Sequence, residues 1–183
     1  MLNTEQRKRL LEIARQSIRA AVAGESAPDL SGDDPELARR QGAFVTLKRC
    51  GELRGCIGHI EGIAPLNETI VQMARAAALE DPRFPPVTAD EIAGLEIEIS
   101  VMSPLYPVDD VAEIQIGRDG LIIGSGGARG LLLPQVAVEW GWGVEEFLRH
   151  TCIKAGLSAD AWEGDCTIER FEAEVFGERD LAV

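Results

Sequence analysis

The densest run of chemically capable residues is Leu53-Arg54-Gly55-Cys56-Ile57-Gly58-His59. Read as a β-strand, its alternation puts Arg54, Cys56 and Gly58 on one face and Leu53, Gly55, Ile57 and His59 on the other. Arg54 and Cys56 are then same-face neighbours, and a guanidinium close to a thiol favours the thiolate, the form that acts as nucleophile. Gly55 and Gly58 weaken a strand, so each needs a reason, such as close approach of a ligand or of another backbone segment. The competing reading is that Cys56 is a small buried hydrophobe, the commoner fate of cysteine. The same alternation argues against a Cys56–His59 dyad within the strand.

Three further segments carry candidates. His150 and Cys152 are two apart on a predicted helix, about 200° around it, so they are not a chelating pair. Cys152 continues the apolar face of Leu148 and Ala155. His150 is either an exposed ion-pair partner one turn from Glu146 or a general base brought to Cys56 by the fold. The segment 80–86, Glu-Asp-Pro-Arg-Phe-Pro-Pro, is a stiff connector in which Asp81 and Arg83 have the chemistry to line a pocket mouth. Gly124-Ser125-Gly126-Gly127-Ala128-Arg129-Gly130 fails the dinucleotide fingerprint, because Arg129 stands where the third glycine is required. A glycine-rich turn between two strands accounts for it, with Arg129 available to hold a small anion. No metal site is expected: the cysteines form no C-x2-C element and the two histidines, His59 and His150, are far apart in the chain.

These residues need elements to position them. Asn3 and Gln6 form a capping box that opens a helix over 1–24, with Leu10, Leu11, Ala14, Ile18, Ala21 and Val22 on one face. Residues 25–35 are a Ser/Gly/Pro/Asp loop, followed by one short turn at 36–40. A hairpin follows, strand 43–48, a turn at 49–52 with Gly51 at positive φ, and strand 53–60. Pro65 opens a helix to about Leu79, with Ile70, Met73, Ala74, Ala77 and Ala78 inward. Thr88 and Glu91 cap a short helix ending near Gly94. Leu95 to Met102 alternates as a half-buried antiparallel strand. Residues 114–116 and 121–123 are predicted as a second hairpin around Arg118-Asp119-Gly120, and 131–133 as a short strand. A helix over 144–155 is stopped by Gly156, and a closing strand over 167–176 turns Phe171, Ala173 and Val175 inward. The pattern is α+β, antiparallel sheets with flanking helices.

Composition narrows the function. The 183 residues hold 18 Lys+Arg against 31 Asp+Glu, a formal net charge of −13, and the pI is about 4.6. Nucleic-acid binding is disfavoured, because counterion release needs a basic surface. Five cations (Arg7, Lys8, Arg9, Arg15, Arg19) against two carboxylates (Glu5, Glu12) leave residues 1–24 at +3, and the remaining 159 at −16. No apolar run approaches the ~18 residues that span a bilayer, and no signal-peptide pattern is visible. The four scattered cysteines are too few for a disulfide scaffold, so a cytoplasmic protein with reduced thiols is expected.

The hexapeptide Leu53-Arg54-Gly55-Cys56-Ile57-Gly58 resembles the signature of the AMMECR family, also called AmmeMemoRadiSam system protein A. The supporting segments, in the family's order, are 80–86 (Glu-Asp-Pro-Arg-Phe-Pro-Pro), 117–121 (Gly-Arg-Asp-Gly-Leu), 129–137 (Arg-Gly-Leu-Leu-Leu-Pro-Gln-Val-Ala) and 150–157 (His-Thr-Cys-Ile-Lys-Ala-Gly-Leu). The resemblance covers about residues 40–176 and departs at His59, where many relatives look to have an aromatic residue. It implies a single AMMECR-like domain over 1–183 with two lobes around a cleft lined by the hexapeptide. It also implies possible company with Memo-like and radical SAM proteins, and no particular reaction or cofactor. The leading expectation is an enzyme or enzyme subunit with a thiol-containing site for a small anionic ligand. Cys56 is the nucleophile and His150 the candidate base, with Arg54, Gly55, Gly58, Asp81, Arg83 and Arg129 around the ligand. The alternative is a non-catalytic module that binds those partner proteins; RNA binding is a weaker third.

Overall fold

The structure, a computed structural model, describes residues 1–181. It is α+β, and the chain divides into two units, residues 1–102 with the segment from Glu174 onward, and Ser103–Ala173.

In the first unit, α1 (Thr4–Ala23) starts at the expected capping box. The Asn3 side chain accepts from the Gln6 N–H and the Gln6 side chain accepts from the Asn3 N–H, both at 2.9 Å. It ends at Gly24 in the left-handed region. Its apolar stripe, Leu10, Leu11, Ala14 and Ile18 with Ile13, is fully buried. β1 (Ala43–Arg49) pairs antiparallel with β2 (Glu52–His59) on one side and with β3 (Leu95–Met102) on the other. β2 is therefore the end strand of the order β2-β1-β3. α2 (Leu66–Leu79) buries Ile70, Ala74, Ala77 and Ala78 in the same core as Ala43, Val45, Leu47, Ile97 and Ile99. Pro65 is its cap residue rather than its first turn.

In the second unit, β5 (Asp119–Ser125) lies between β6 (Ala128–Leu132) and β7 (Thr167–Gly177), of which residues 167–173 belong to this unit, and the two-residue β4 (Tyr106–Pro107) pairs with β7. All these pairings are antiparallel. α3 (Pro134–Trp140) and α4 (Val144–Lys154) follow β6, and the core gathers Ile114, Leu121, Ile123, Ala137, Phe147, Leu148 and Cys152. Gly156, at φ 77°, stops α4 as expected. A last short helix, α5 (Glu178–Leu181), belongs to the first unit.

The second hairpin differs from its sequence reading. It is β5–β6, turning through Gly126 (φ 57°) and Gly127 (φ 88°); two consecutive positive φ values are what a tight hairpin with a type I′ twist requires. Residues 114–116 are not a strand. Asp119 is fully buried and accepts from Gln115 N at 2.8 Å and from Arg118 Nε and Nη2, so the segment closes on that carboxylate with Gly117 at φ 87°. The closing strand also departs from simple alternation. Phe171 is buried but Val175 is half exposed, and Phe176 is buried in the first unit's core instead. α3 is an addition to the predicted elements, because seven residues are too few to show a helical period.

Candidate functional site

β1 and β2 do not keep one register throughout. Leu47 pairs with Gly55 and Lys48 with Leu53, so the pairing passes over Arg54 in a β-bulge. A bulge re-aims the side chain at the extra residue and breaks the period-2 rule. The Arg54 guanidinium accordingly goes to Glu91, not to Cys56. Nε and Nη2 each donate at 2.9 Å to the two Glu91 oxygens, and Nη1 donates to the Pro85 carbonyl at 3.0 Å. This bidentate pair is largely buried on both sides. Glu91, which also accepts from the Thr88 N–H at 3.0 Å, is held down to about 2, chiefly by the Arg54 hydrogen bonds and then by Thr88. The same bonds push Arg54 further up. The sequence-based role of Arg54 as the cation beside the thiol is thus replaced by a role in pinning the 85–91 segment.

The group that reaches Cys56 is the Asp81–Arg83 pair. β2 is an end strand, and the Cys56 N–H donates to Asp81 Oδ2 at 2.8 Å while Arg83 Nη2 donates to the Cys56 carbonyl at 3.3 Å. Two side chains from one connector therefore satisfy the edge groups of a single residue, as a neighbouring strand would. Asp81 is buried and also accepts from Arg83 N, Nε and Nη2 at 3.1, 2.9 and 2.7 Å. Arg83 holds this carboxyl well below the usual carboxylate range, and Asp81 in turn raises Arg83, with the Cys56 thiol a smaller contributor. Both Asp81 oxygens are taken up by hydrogen bonds within the fold. The half-buried Cys56 thiol sits opposite Thr46 on β1, with Sγ and Oγ1 3.2 Å apart.

Both glycines of the hexapeptide are explained by protein rather than by ligand. A Cβ on Gly55 would stand 2.2 Å from the Ala77 carbonyl oxygen, so this position lets α2 approach the sheet. A Cβ on Gly58 would stand 2.4 Å from both the Ala43 carbonyl and the Phe44 ring. His59, on the last residue of β2, donates from Nδ1 to the Glu61 carbonyl at 2.7 Å. Thr46 and Glu91 are the residues that sequence reading misses. The hairpin register points to Thr46 as the cross-strand partner of Cys56; nothing local to Glu91 points to Arg54.

The remaining candidates belong to the second unit. His150 is exposed on α4, stacked on Trp142 with ring centroids 3.9 Å apart and planes 1° from parallel. Glu146, one turn away, instead caps the helix by accepting from the Gly143 N–H at 3.2 Å. Arg129 pairs with Glu169 at 3.3 Å. Cys152 is buried, and burial pushes its thiol up. Among the described residues no group of three or more His, Cys, Asp or Glu is placed to hold a metal ion, and no helix is long and apolar enough to cross a membrane.

The profile of the AMMECR1 family matches residues 11–176. The chain belongs to the AMMECR1 family. The match takes in the hexapeptide and the 80–86 connector that clamps it, and it reaches back into α1, further than the resemblance read from the motifs. Among similar chains, a protein of Methanothermobacter thermautotrophicus is 44% identical over 185 residues, covering 97% of this chain and 96% of that one. A protein of Thermococcus gammatolerans is 46% identical, covering 92% and 88%. An uncharacterized protein of Pyrococcus horikoshii has a crystal structure that superimposes with a TM-score of 0.86 at 40% identity, covering 96% of this chain and 93% of that one.

Proposed function

We propose that this AMMECR1-family protein presents Cys56 as a reactive thiol beside a site for a small anionic ligand, with Arg83 rather than Arg54 as the cation. The observation that carries this reading is the clamp. Asp81 and Arg83 fix both backbone groups of Cys56, while its thiol stays half-buried next to the Thr46 hydroxyl. Holding a nucleophile on a rigid strand by neighbouring hydrogen bonds is the preorganisation that thiol chemistry uses. Arg83 spends Nε and Nη2 on Asp81 and the Cys56 carbonyl, and its half-exposed guanidinium keeps the Nη1 donors for an anion. The test is site-resolved alkylation of the native protein with iodoacetamide, with and without inorganic phosphate or succinate. Cys56 is expected to react and to be protected by an anion, with protection lost in Arg83→Gln. A Cys56 that stays unmodified in the folded protein while exposed Cys50 reacts would end this reading.

A second reading is a non-catalytic module that works with a Memo-like or radical SAM protein. What favours it is that every motif arginine already has a carboxylate, Arg54 with Glu91, Arg83 with Asp81, Arg118 with Asp119 and Arg129 with Glu169. Under it, Cys56→Ala co-purifies with such a partner as the wild type does, and Arg54→Ala does not.

A further inference from the structure

The second unit carries an aromatic stack that the Cys56 site leaves unused. Trp140 closes α3 and is 70% exposed. Gly141, at φ 67°, reverses the chain, and the Trp142 ring lies 6.0 Å from that of Trp140 with planes 18° apart. His150 covers Trp142 at 3.9 Å. Trp142 thus has two ring neighbours, an imidazole and an exposed indole. Exposed Ile153, one turn beyond His150 on α4, adds apolar surface. An indole this exposed is not held in place by a core; its ring neighbour is Trp142, and a contact of that kind reduces what a partner must order on binding.

The surroundings are acidic. Glu139, Glu145 and Glu146 are exposed on the same two helices. The cation nearest them along the chain, Arg149, is shared between Glu145 at 3.7 Å and Asp160 at 3.2 Å. Across the unit, twelve carboxylates against five cations leave −7. An exposed electron-rich ring inside a negative field selects a cation. Its shape narrows the cation further. Trp140 is largely exposed and has one ring neighbour, Trp142, an arrangement that suits a flat guanidinium rather than a compact ammonium that needs rings on several sides. Trp142 already holds a planar nitrogen group, His150, in that face-to-face geometry.

We propose that the Trp140–Trp142–His150 stack is a docking site for an arginine-bearing segment of a partner protein. The guanidinium lies flat on Trp140, neighbouring cations meet Glu139 and Glu145, and the segment's apolar residues cover Ile153. The surface belongs to the second unit and holds whether or not Cys56 reacts.

The experiment is a titration of the full chain, with nitrogen-15-labelled tryptophans, by the peptide acetyl-Gly-Arg-Leu-Ala-Arg-Gly-amide. Citrulline and glutamate replace both arginines in the two controls. The indole N–H signals of Trp140 and Trp142 are expected to shift, while that of Trp162 stays put and reports an intact fold. Citrulline removes the charge with little change of shape and is expected to abolish most of the shift; glutamate removes all of it. Trp140→Ala, a surface change, is expected to weaken binding, read from the Trp142 signal, about fivefold, and Glu139→Gln with Glu145→Gln to weaken it further at low salt. No shift with the arginine peptide at about 5 mM, equal shifts with the glutamate peptide, or an unchanged midpoint in Trp140→Ala would each overturn the proposal.

Discussion

Asp81 accepts four hydrogen bonds, one from the Cys56 N–H and three from Arg83, and is buried while doing so. Removing its charge leaves Arg83 without its partner and weakens the hold on the β2 edge. Asp81→Asn is therefore expected to cost roughly 1–3 kcal/mol in urea unfolding, the penalty for breaking a buried, charge-assisted hydrogen bond. The two carboxylates of the site also set an acid response. Both Asp81 and Glu91 are held below their ordinary range in the folded state. The unfolded chain thus takes up protons first as pH falls, and the stability they contribute, present above the unfolded value, drains away towards the folded one. For Glu91 that window runs from 4.5 down to about 2. Urea titrations at a series of pH values should show unfolding free energy falling through that window, and Glu91→Gln should flatten the slope there. An unchanged slope would mean that the Arg54–Glu91 pair is not formed in solution.

Two elements meet at Gly55. β2 carries the thiol, and α2 can lie against it only because no side chain stands between Gly55 and the Ala77 carbonyl. Gly55→Ala must push the helix off the sheet, a small-to-large change expected to cost roughly 1–3 kcal/mol. Gly94→Ala, exposed and with only Arg49 Nε at 3.9 Å from its Cβ, is the control and should change stability by no more than about 0.5 kcal/mol; thermal unfolding of both variants measures the difference. The β1–β2 turn offers the opposite case. Cys50 sits at φ 53° before Gly51 at φ 84°, a type I′ arrangement in which asparagine is favoured and a cysteine is strained. Cys50→Asn is expected to stabilise the protein by about 0.5–1 kcal/mol, seen as a higher urea midpoint with an unchanged slope. That substitution also removes the exposed thiol that competes with Cys56 for alkylating reagents.

At the scale of the molecule, a net charge of −13 sets what the surface attracts, and a polyanion such as heparin should not retain the protein at physiological salt. The internal arginines do not reverse this, since Arg54, Arg83 and Arg129 each face a carboxylate. Local features of the chain are legible in its sequence. The capping box at Asn3, the apolar stripes of α1 and α2, the alternation of β1 and β3 and the glycine stops depend on neighbours within about one turn or one strand pair, and periods of 3.6 and 2 register them. The family motifs are legible too, because they are runs of adjacent residues. What sequence alone does not decide is which side chain faces which across longer separations. A bulge of one residue sends Arg54 to Glu91, 37 positions on, and a connector 25 positions beyond Cys56 supplies the clamp instead. The same holds for the buried Asp119, which turns a predicted strand into a loop, and for Phe176, buried where alternation favours Val175. Backbone periodicity determines faces, but hydrogen-bond and ion-pair choice is settled by distances of a few ångströms between elements, and only the folded chain sets those.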